Sequence, residues 1–365
     1  MERKVSSMTS PIRITKRADL SRKNEIIIRI LAVILSIVCA GLVLLILGLD
    51  PIKIFGSIID GCAGTELRIK QTIVKAIPLT IASLGIIVAF KMNFWNIGAE
   101  GQITMGAFGA TLVALHVPAT TPTAVTLLLM FICAIICGAI WAFIPAIFKA
   151  KLGTNETIFT LMMNYVAIKF VTYLQYGPWI DPNGGGFPRI AQFTENCVLP
   201  SVLGVNIGWI FAIICVVLVY LFINHTKTGY EITVVGQSYE TARYAGMNIS
   251  KIIIIAMLIS GGLCGTVGMI QASAVEKTLV AGIANGYGFT AIITAWLSKL
   301  NPISCVFICI AFAALIQGGA YIQIALGVSS AVSSVVQGLI LFFVLGSEFF
   351  IQYKVGLKHK DKEVA

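Results

Sequence analysis

Asn96, Glu100 and Gln102 stand close together at the start of an otherwise apolar stretch and are the sharpest chemical feature of the sequence. Glu100 falls about six residues into that stretch, roughly 9 Å along a helix, where a carboxylate facing hydrocarbon is costly and must face protein or water instead. Gly98, Gly101, Gly106 and Gly109 accompany it and let neighbouring backbones approach closely. Glu100 admits two readings: part of a polar, glycine-lined path or gate for a solute, or a buried hydrogen-bonding pin between helices. Asn164 lies about two and a half turns into a later run, so its amide also needs a partner. Asn285-Gly286-Tyr287-Gly288-Phe289-Thr290 has the interruptions of a broken helix lining a cavity, which adds Asn285, Tyr287, Phe289 and Thr290 to the path candidates. Asn155 and Glu156 read as a helix cap and a first-turn acid. Lys169 reads as a long side chain reaching for an interface.

These residue types can hydrogen-bond a neutral polar solute, or one another. The sequence holds no G-x-x-x-x-G-K-[ST], H-E-x-x-H or G-x-S-x-G, and no carboxylate pair placed for hydrolysis. No ATPase site and no enzymatic activity are expected in the chain itself. Cys39, Cys133, Cys137, Cys215, Cys264, Cys305 and Cys309 lie within apolar runs, where cysteine behaves as a small hydrophobe. Cys133/Cys137 and Cys305/Cys309 are i,i+4 pairs, but no histidine or carboxylate stands by to complete a metal site.

The elements that must position these residues follow from composition. Of 365 residues, 58% are hydrophobic and 12% charged, and the mean hydropathy is +0.92, which excludes a water-soluble domain. Ten runs have about the length needed to cross ~30 Å of hydrocarbon: 26–48, 70–91, 94–115, 122–148, 155–175, 205–223, 252–275, 284–300, 302–320 and 326–350. The third and eighth are richest in glycine and polar residues. With the N-terminus inside, nineteen of the 26 basic residues fall on the inner side, as expected for cytoplasmic loops. The net charge of +10 then reports topology and contact with anionic lipid, not a nucleic-acid partner. A basic cytoplasmic arm over 1–25, a membrane domain over 26–350 and a basic cytoplasmic tail over 351–365 complete the layout. The third run starts inside and the eighth outside, a relation expected of inverted halves around a central path. The outer loop 176–204, with Asp181-Pro182-Asn183-Gly184-Gly185-Gly186, fits either a docking surface or a mobile connector. Cys62 and Cys197 share the outer side, where an oxidising compartment would allow a disulfide.

The inner loop 224–251 contains a short helix of its own. Ser238 suits its N-cap, Glu240 its first turn, Arg243 its last turn and Gly246 its left-handed end. Tyr239, Ala242 and Ala245 fall on one narrow face, which fits the groove of a partner or the membrane surface.

Lys227-Thr228-Gly229, Val235-Gly236-Gln237 and Ala242-Arg243-Tyr244-Ala245-Gly246 resemble the coupling loop of the permeases of ABC importers that handle branched-chain amino acids, simple sugars and nucleosides. Phe94-Trp95-Asn96-Ile97-Gly98-Ala99-Glu100-Gly101-Gln102 is similar to the signature of the nucleoside and simple-sugar branch. Gly153-Thr154-Asn155-Glu156, Leu161-Met162-Met163-Asn164-Tyr165 and Gly286-Tyr287-Gly288-Phe289 with Asn301-Pro302 match further family stretches in family order. Thr290, Trp296 and Ser298 depart from the family pattern and bear on the substrate. The resemblance implies an all-α integral membrane protein of about ten helices with inverted-repeat ABC importer permease architecture. It implies ATPase coupling through Gly229, Gly236, Tyr239, Glu240, Ala242, Arg243, Tyr244, Ala245 and Gly246. It implies a second permease subunit, a cytoplasmic ABC ATPase that binds ATP and Mg, and an extracytoplasmic substrate-binding lipoprotein, all at a bacterial cytoplasmic membrane. Nucleosides lead as solute and simple sugars come second. An ion-coupled transporter and a nontransporting scaffold are the competing classes. The former would need more ionisable residues deep in the spans than Glu100 and Lys169.

Overall fold

A backbone that leaves water must satisfy its own amides and carbonyls, so apolar runs of this length form helices. The computed structural model describes residues 12–16, 21–182 and 185–357. Its elements in chain order are β1 (Ile12–Lys16), α1 (Arg22–Ile46), α2 (Pro51–Ala63), α3 (Glu66–Lys91), α4 (Ala99–His116), α5 (Thr123–Leu152) and α6 (Glu156–Tyr176). There follow β2 (Ser201–Val202), β3 (Val205–Asn206), α7 (Gly208–His225), α8 (Lys227–Gln237), α9 (Tyr239–Tyr244), α10 (Ile249–Ile270), α11 (Tyr287–Leu297), α12 (Pro302–Leu326), α13 (Ser330–Gln352) and β4 (Tyr353–Leu357).

All ten expected runs fall on helices, but not as ten equal spans. Among the described residues, eight helices are long and apolar enough to cross a membrane: α1, α3, α5, α6, α7, α10 with the π-helical turn that extends it, α12 and α13. The third run is α4, 18 residues long but made less apolar by Glu100, Gln102 and its glycines. The eighth is α11, whose 11 residues reach only about 16 Å, half of a bilayer. It starts later than expected because Asn285 (φ 48°) and Gly286 (φ 75°) are left-handed and cannot join the helix. A search for runs of about 20 residues also passes over α2, which has 13.

The chain divides into two compact units, residues 1–61 with 318–365 and residues 62–317. In the first, β1 pairs antiparallel with β4, and α1 packs on α13 with Arg29 Nη2 donating to Glu348 at 3.1 Å. The rest of the expected basic arm and tail lies largely outside the described residues, as do Asn183 and Gly184 of the outer turn.

In the second unit α10 is the central helix, packed by α3, α4 and α5. Its Gly261-x-x-x-Gly265 pattern works as a contact surface. A Cβ on Gly265 would collide with the Ala134 carbonyl of α5, and one on Gly106 of α4 would collide with the Gly265 backbone. Such close approach replaces the hydrophobic driving force that is missing between helices in lipid. The outer loop is tied down rather than loose. Ser273 Oγ donates to the Cys197 carbonyl at 2.7 Å and accepts from the Leu199 amide at 3.0 Å, while the Phe193 amide donates to the Lys277 carbonyl at 2.8 Å. No disulfide joins Cys62 to Cys197, and Cys197 is fully buried with its Sγ 3.9 Å from the Ala114 carbonyl.

Candidate translocation and coupling site

Residues 92–98 join α3 to α4 without regular structure, and Asn96 organises them. Its Oδ1 accepts from the Gly98 amide at 3.0 Å and from Gln102 Nε2 at 3.1 Å, and its Nδ2 donates to Ser260 Oγ of α10 at 3.1 Å. Asn164 of α6 closes the other side. Its Oδ1 accepts from the Gly101 amide at 2.8 Å and its Nδ2 donates to the Ile97 carbonyl at 2.9 Å. Thr160, one turn earlier, accepts from the Ile97 amide at 3.2 Å. Asn96, Gln102 and Asn164 are at most 2% exposed. A buried amide network satisfied in this way fixes one arrangement of its helices and leaves little hydrogen-bonding capacity for a passing solute.

Glu100 is likewise buried and occupied. Its Oε1 accepts from the Gly286 amide and its Oε2 from the Gly288 amide, each at 2.8 Å. These are amides at the start of α11 that no preceding turn can satisfy, and the positive end of the helix dipole favours a carboxylate there. Gly288 is required by the approach, since a Cβ on it would meet the Glu100 backbone and Oε2. Of the two readings open for Glu100, the hydrogen bonds are those of the pin. From this point α11 runs along α3, with Thr294 Oγ1 2.6 Å from Ser83 Oγ, and Trp296 beside Phe90.

The other path candidates are scattered. Tyr287 is 4% exposed, Thr290 donates back to the Gly286 carbonyl at 3.0 Å, and Asn285 and Phe289 are open to the surroundings. The fold also assembles an aromatic group that the spacing did not reveal. The rings of Phe90, Trp95 and Trp296 form a triangle with centroids 5.5 to 5.8 Å apart. Trp296 lies near the end of α11, and Trp95 sits inside the 94–102 stretch. Only the fold brings the two together.

The inner loop contains two helices rather than one. Thr226 caps α8, its Oγ1 accepting from the Gly229 amide at 3.0 Å, and Ser238 caps α9, its Oγ accepting from the Thr241 amide at 3.2 Å. Gly246 ends the turn at φ 73°. Gly229 and Gly236 are contact positions: a Cβ on the first would strike the Phe222 and Ile223 carbonyls, and one on the second the Lys91 carbonyl at the end of α3. Asn93 Nδ2 donates to the Gly236 carbonyl, which ties α8 to the segment that carries Asn96. On α9 the expected face needs correction. Ala242 is fully buried in its own chain and cannot enter a partner's groove. The side that is open carries Glu240, Arg243 and Tyr244, with Tyr244 96% exposed, and Ala245 and Gly246 beyond it. Tyr239 is also exposed, within electrostatic reach of Lys149 and Glu156, and partial desolvation pushes its phenol above the ordinary value. Those two residues form an ion pair of 2.7 Å between the end of α5 and the start of α6.

Residues 68–345 match the family described as branched-chain amino acid transport system / permease component. A glucose ABC transporter permease protein of Haloferax volcanii is 33% identical over 341 residues, covering 90% of this chain and 89% of the relative. The guanosine ABC transporter permease protein NupP of Bacillus subtilis is 29% identical, covering 93% of this chain and 98% of its own. The nucleoside ABC transporter permease protein NupB of Lactococcus lactis is 28% identical, covering 89% and 92%. The membrane-crossing helices, the anchored inner helix pair and these matches agree: the chain is a multi-pass membrane protein and belongs to the branched-chain amino acid transport system permease family of ABC transporters.

Proposed function

We propose that the chain is one permease subunit of an ATP-driven importer that brings nucleosides across a bacterial cytoplasmic membrane. In this reading it is paired with a second permease and served by two cytoplasmic ATPase sites and an extracytoplasmic binding lipoprotein. Its termini and the loop 224–251 are cytoplasmic. The observation that carries the reading is the inner helix pair. α8 is held against the end of α3 through Gly236 and Asn93, while Arg243 and Tyr244 on α9 stand free for another protein to grip. A partner that closes on ATP would push this elbow and shift the permease between outward and inward states, provided its grip differs between them.

The nucleoside assignment is supported by the 94–102 motif and by two relatives named for guanosine and nucleosides. The glucose permease relative favours a second reading, a simple-sugar importer. Uptake of labelled uridine, guanosine and ribose into proteoliposomes holding the full complex decides between them. Replacing Arg243 and Tyr244 together is expected to abolish solute-stimulated ATP hydrolysis while the chain still inserts. Unchanged stimulation removes the coupling role, and uptake by the purified chain alone down an ion gradient removes the ATP-driven reading altogether.

A further inference from the structure

The outward faces of α5 and α7 are built for lipid. α5 exposes Leu128, Ile132 and Ile136, and α7 exposes Ile214, Val217 and Leu218. α6 differs. One side, with Thr160, Asn164, Ala167 and Val171, is buried on its neighbours. The opposite side exposes the apolar Ile158, Met162 and Val166, but among them also Tyr165, Lys169, Tyr173 and Tyr176. Tyr165, Lys169 and Tyr173 are spaced four residues apart, so they rise about 6 Å per step along one stripe of the helix.

Position along α6 decides what this stripe can face. Tyr173 and Tyr176 lie in the last turn, where tyrosines commonly mark a membrane boundary. Lys169, about 10 Å from the outer end, has length enough to bring its ammonium part of the way there. Tyr165 has no such escape. It stands about 14 Å from the inner end of a helix of about 31 Å, close to the bilayer midplane. A phenol hydroxyl at that depth, one turn from a lysine, belongs on a wetted surface and not against acyl chains.

We infer that the Tyr165–Lys169–Tyr173 stripe of α6 is a wall of the water-filled solute path. The inference rests on the permease reading and adds the residues that meet the solute. The stripe offers two aromatic faces, two hydroxyls and one ammonium, and no acid. It suits a neutral solute with a flat ring or ring hydroxyls and with carbonyl or hydroxyl oxygens to accept from Lys169, and it repels cations. A second observation points to the same helix. The first residue of α6, Glu156, is ion-paired with Lys149 beside Tyr239 of α9, so a push on the coupling elbow reaches the base of this wall.

Single cysteines at Tyr165, Lys169 and Tyr173, with Ile136→Cys on α5 and Leu218→Cys on α7 as controls, test this in the complete complex in proteoliposomes. The probe is a charged, membrane-impermeant methanethiosulfonate, read against the parent chain with its native cysteines. Tyr165→Cys and Lys169→Cys are expected to react at least about tenfold faster than either control, because the thiolate forms in water and not in hydrocarbon. Uridine is expected to slow the reaction at Tyr165→Cys. Labelling of Tyr165→Cys as slow as that of Ile136→Cys overturns the inference. So does a spontaneous disulfide from Tyr165→Cys to the second permease, which would place the stripe in a dry subunit contact. Labelling does not require ATP. Fast labelling without uptake would therefore uphold the wetted wall while counting against the importer reading.

Discussion

Glu100→Gln tests whether the most conspicuous acid of the membrane domain holds the structure together or handles solute. Glu100 receives two amides from the start of α11, each at 2.8 Å. Glutamine keeps one acceptor and turns an NH2 group toward the other amide. The loss of one hydrogen bond to a charged group is about 1.5–3 kcal/mol, and loss of the charge at the helix start adds about 0.3–2 kcal/mol. The total is about 2–5 kcal/mol. For a chain of this size that corresponds to a lowering of the Tm by roughly 5 °C in purified complex. Glu100→Ala is expected to fall further, since both buried amides are then left without a partner. Gly288→Ala should act in the same direction from the other side of the contact, because its Cβ would meet the Glu100 backbone. Thermal unfolding in detergent, with uptake measured beside it, checks all three. An unchanged Tm in Glu100→Gln together with a raised KM for solute refutes the reasoning, because only a carboxylate that touches solute would behave that way.

Reversing Glu156 to Lys is expected to reduce solute-stimulated ATP hydrolysis several-fold, by setting two cations at the α5–α6 junction. Adding Lys149→Glu should restore much of it, as measured by ATPase rate with and without solute. Gly265→Ala is expected to cost about 1–3 kcal/mol by overpacking against the Ala134 carbonyl, whereas Gly56→Ala, with nothing near its Cβ, should leave the Tm in place or raise it slightly.

What could be read in the chain, and what could not, divides by the distance over which each residue acts. The caps at Asn155 and Ser238 and the left-handed Gly246 satisfy or end their own helices, and all three stand where local rules put them. The Gly261-x-x-x-Gly265 surface was also legible, because a stripe of small residues serves the same purpose whichever helix meets it. α8 was missed for a physical reason. Gly229 and Gly236 give no helix signal of their own, yet each is inside the helix, with a neighbouring carbonyl where a Cβ would be. Glu100 was recognisable as a group that needs partners, but those partners are 186 and 188 residues further along, and no local spacing encodes them.

The stripe on α6 shows the same limit in reverse. The four-residue spacing of Tyr165, Lys169 and Tyr173 is plain in the chain, and so is Asn164 next to it. Sequence alone would assign the amide to the solute and the lysine to the interface. In the fold Asn164 is turned inward to hold the start of α4, while the stripe behind it is left uncovered. Polar residues in a membrane helix announce that something must satisfy them, but only the packing of the opposite face tells whether that is protein or water. The amide network therefore belongs to the frame that holds α4, α6 and α10 together, and on the proposal made here the residues that meet solute are the ones this frame leaves open.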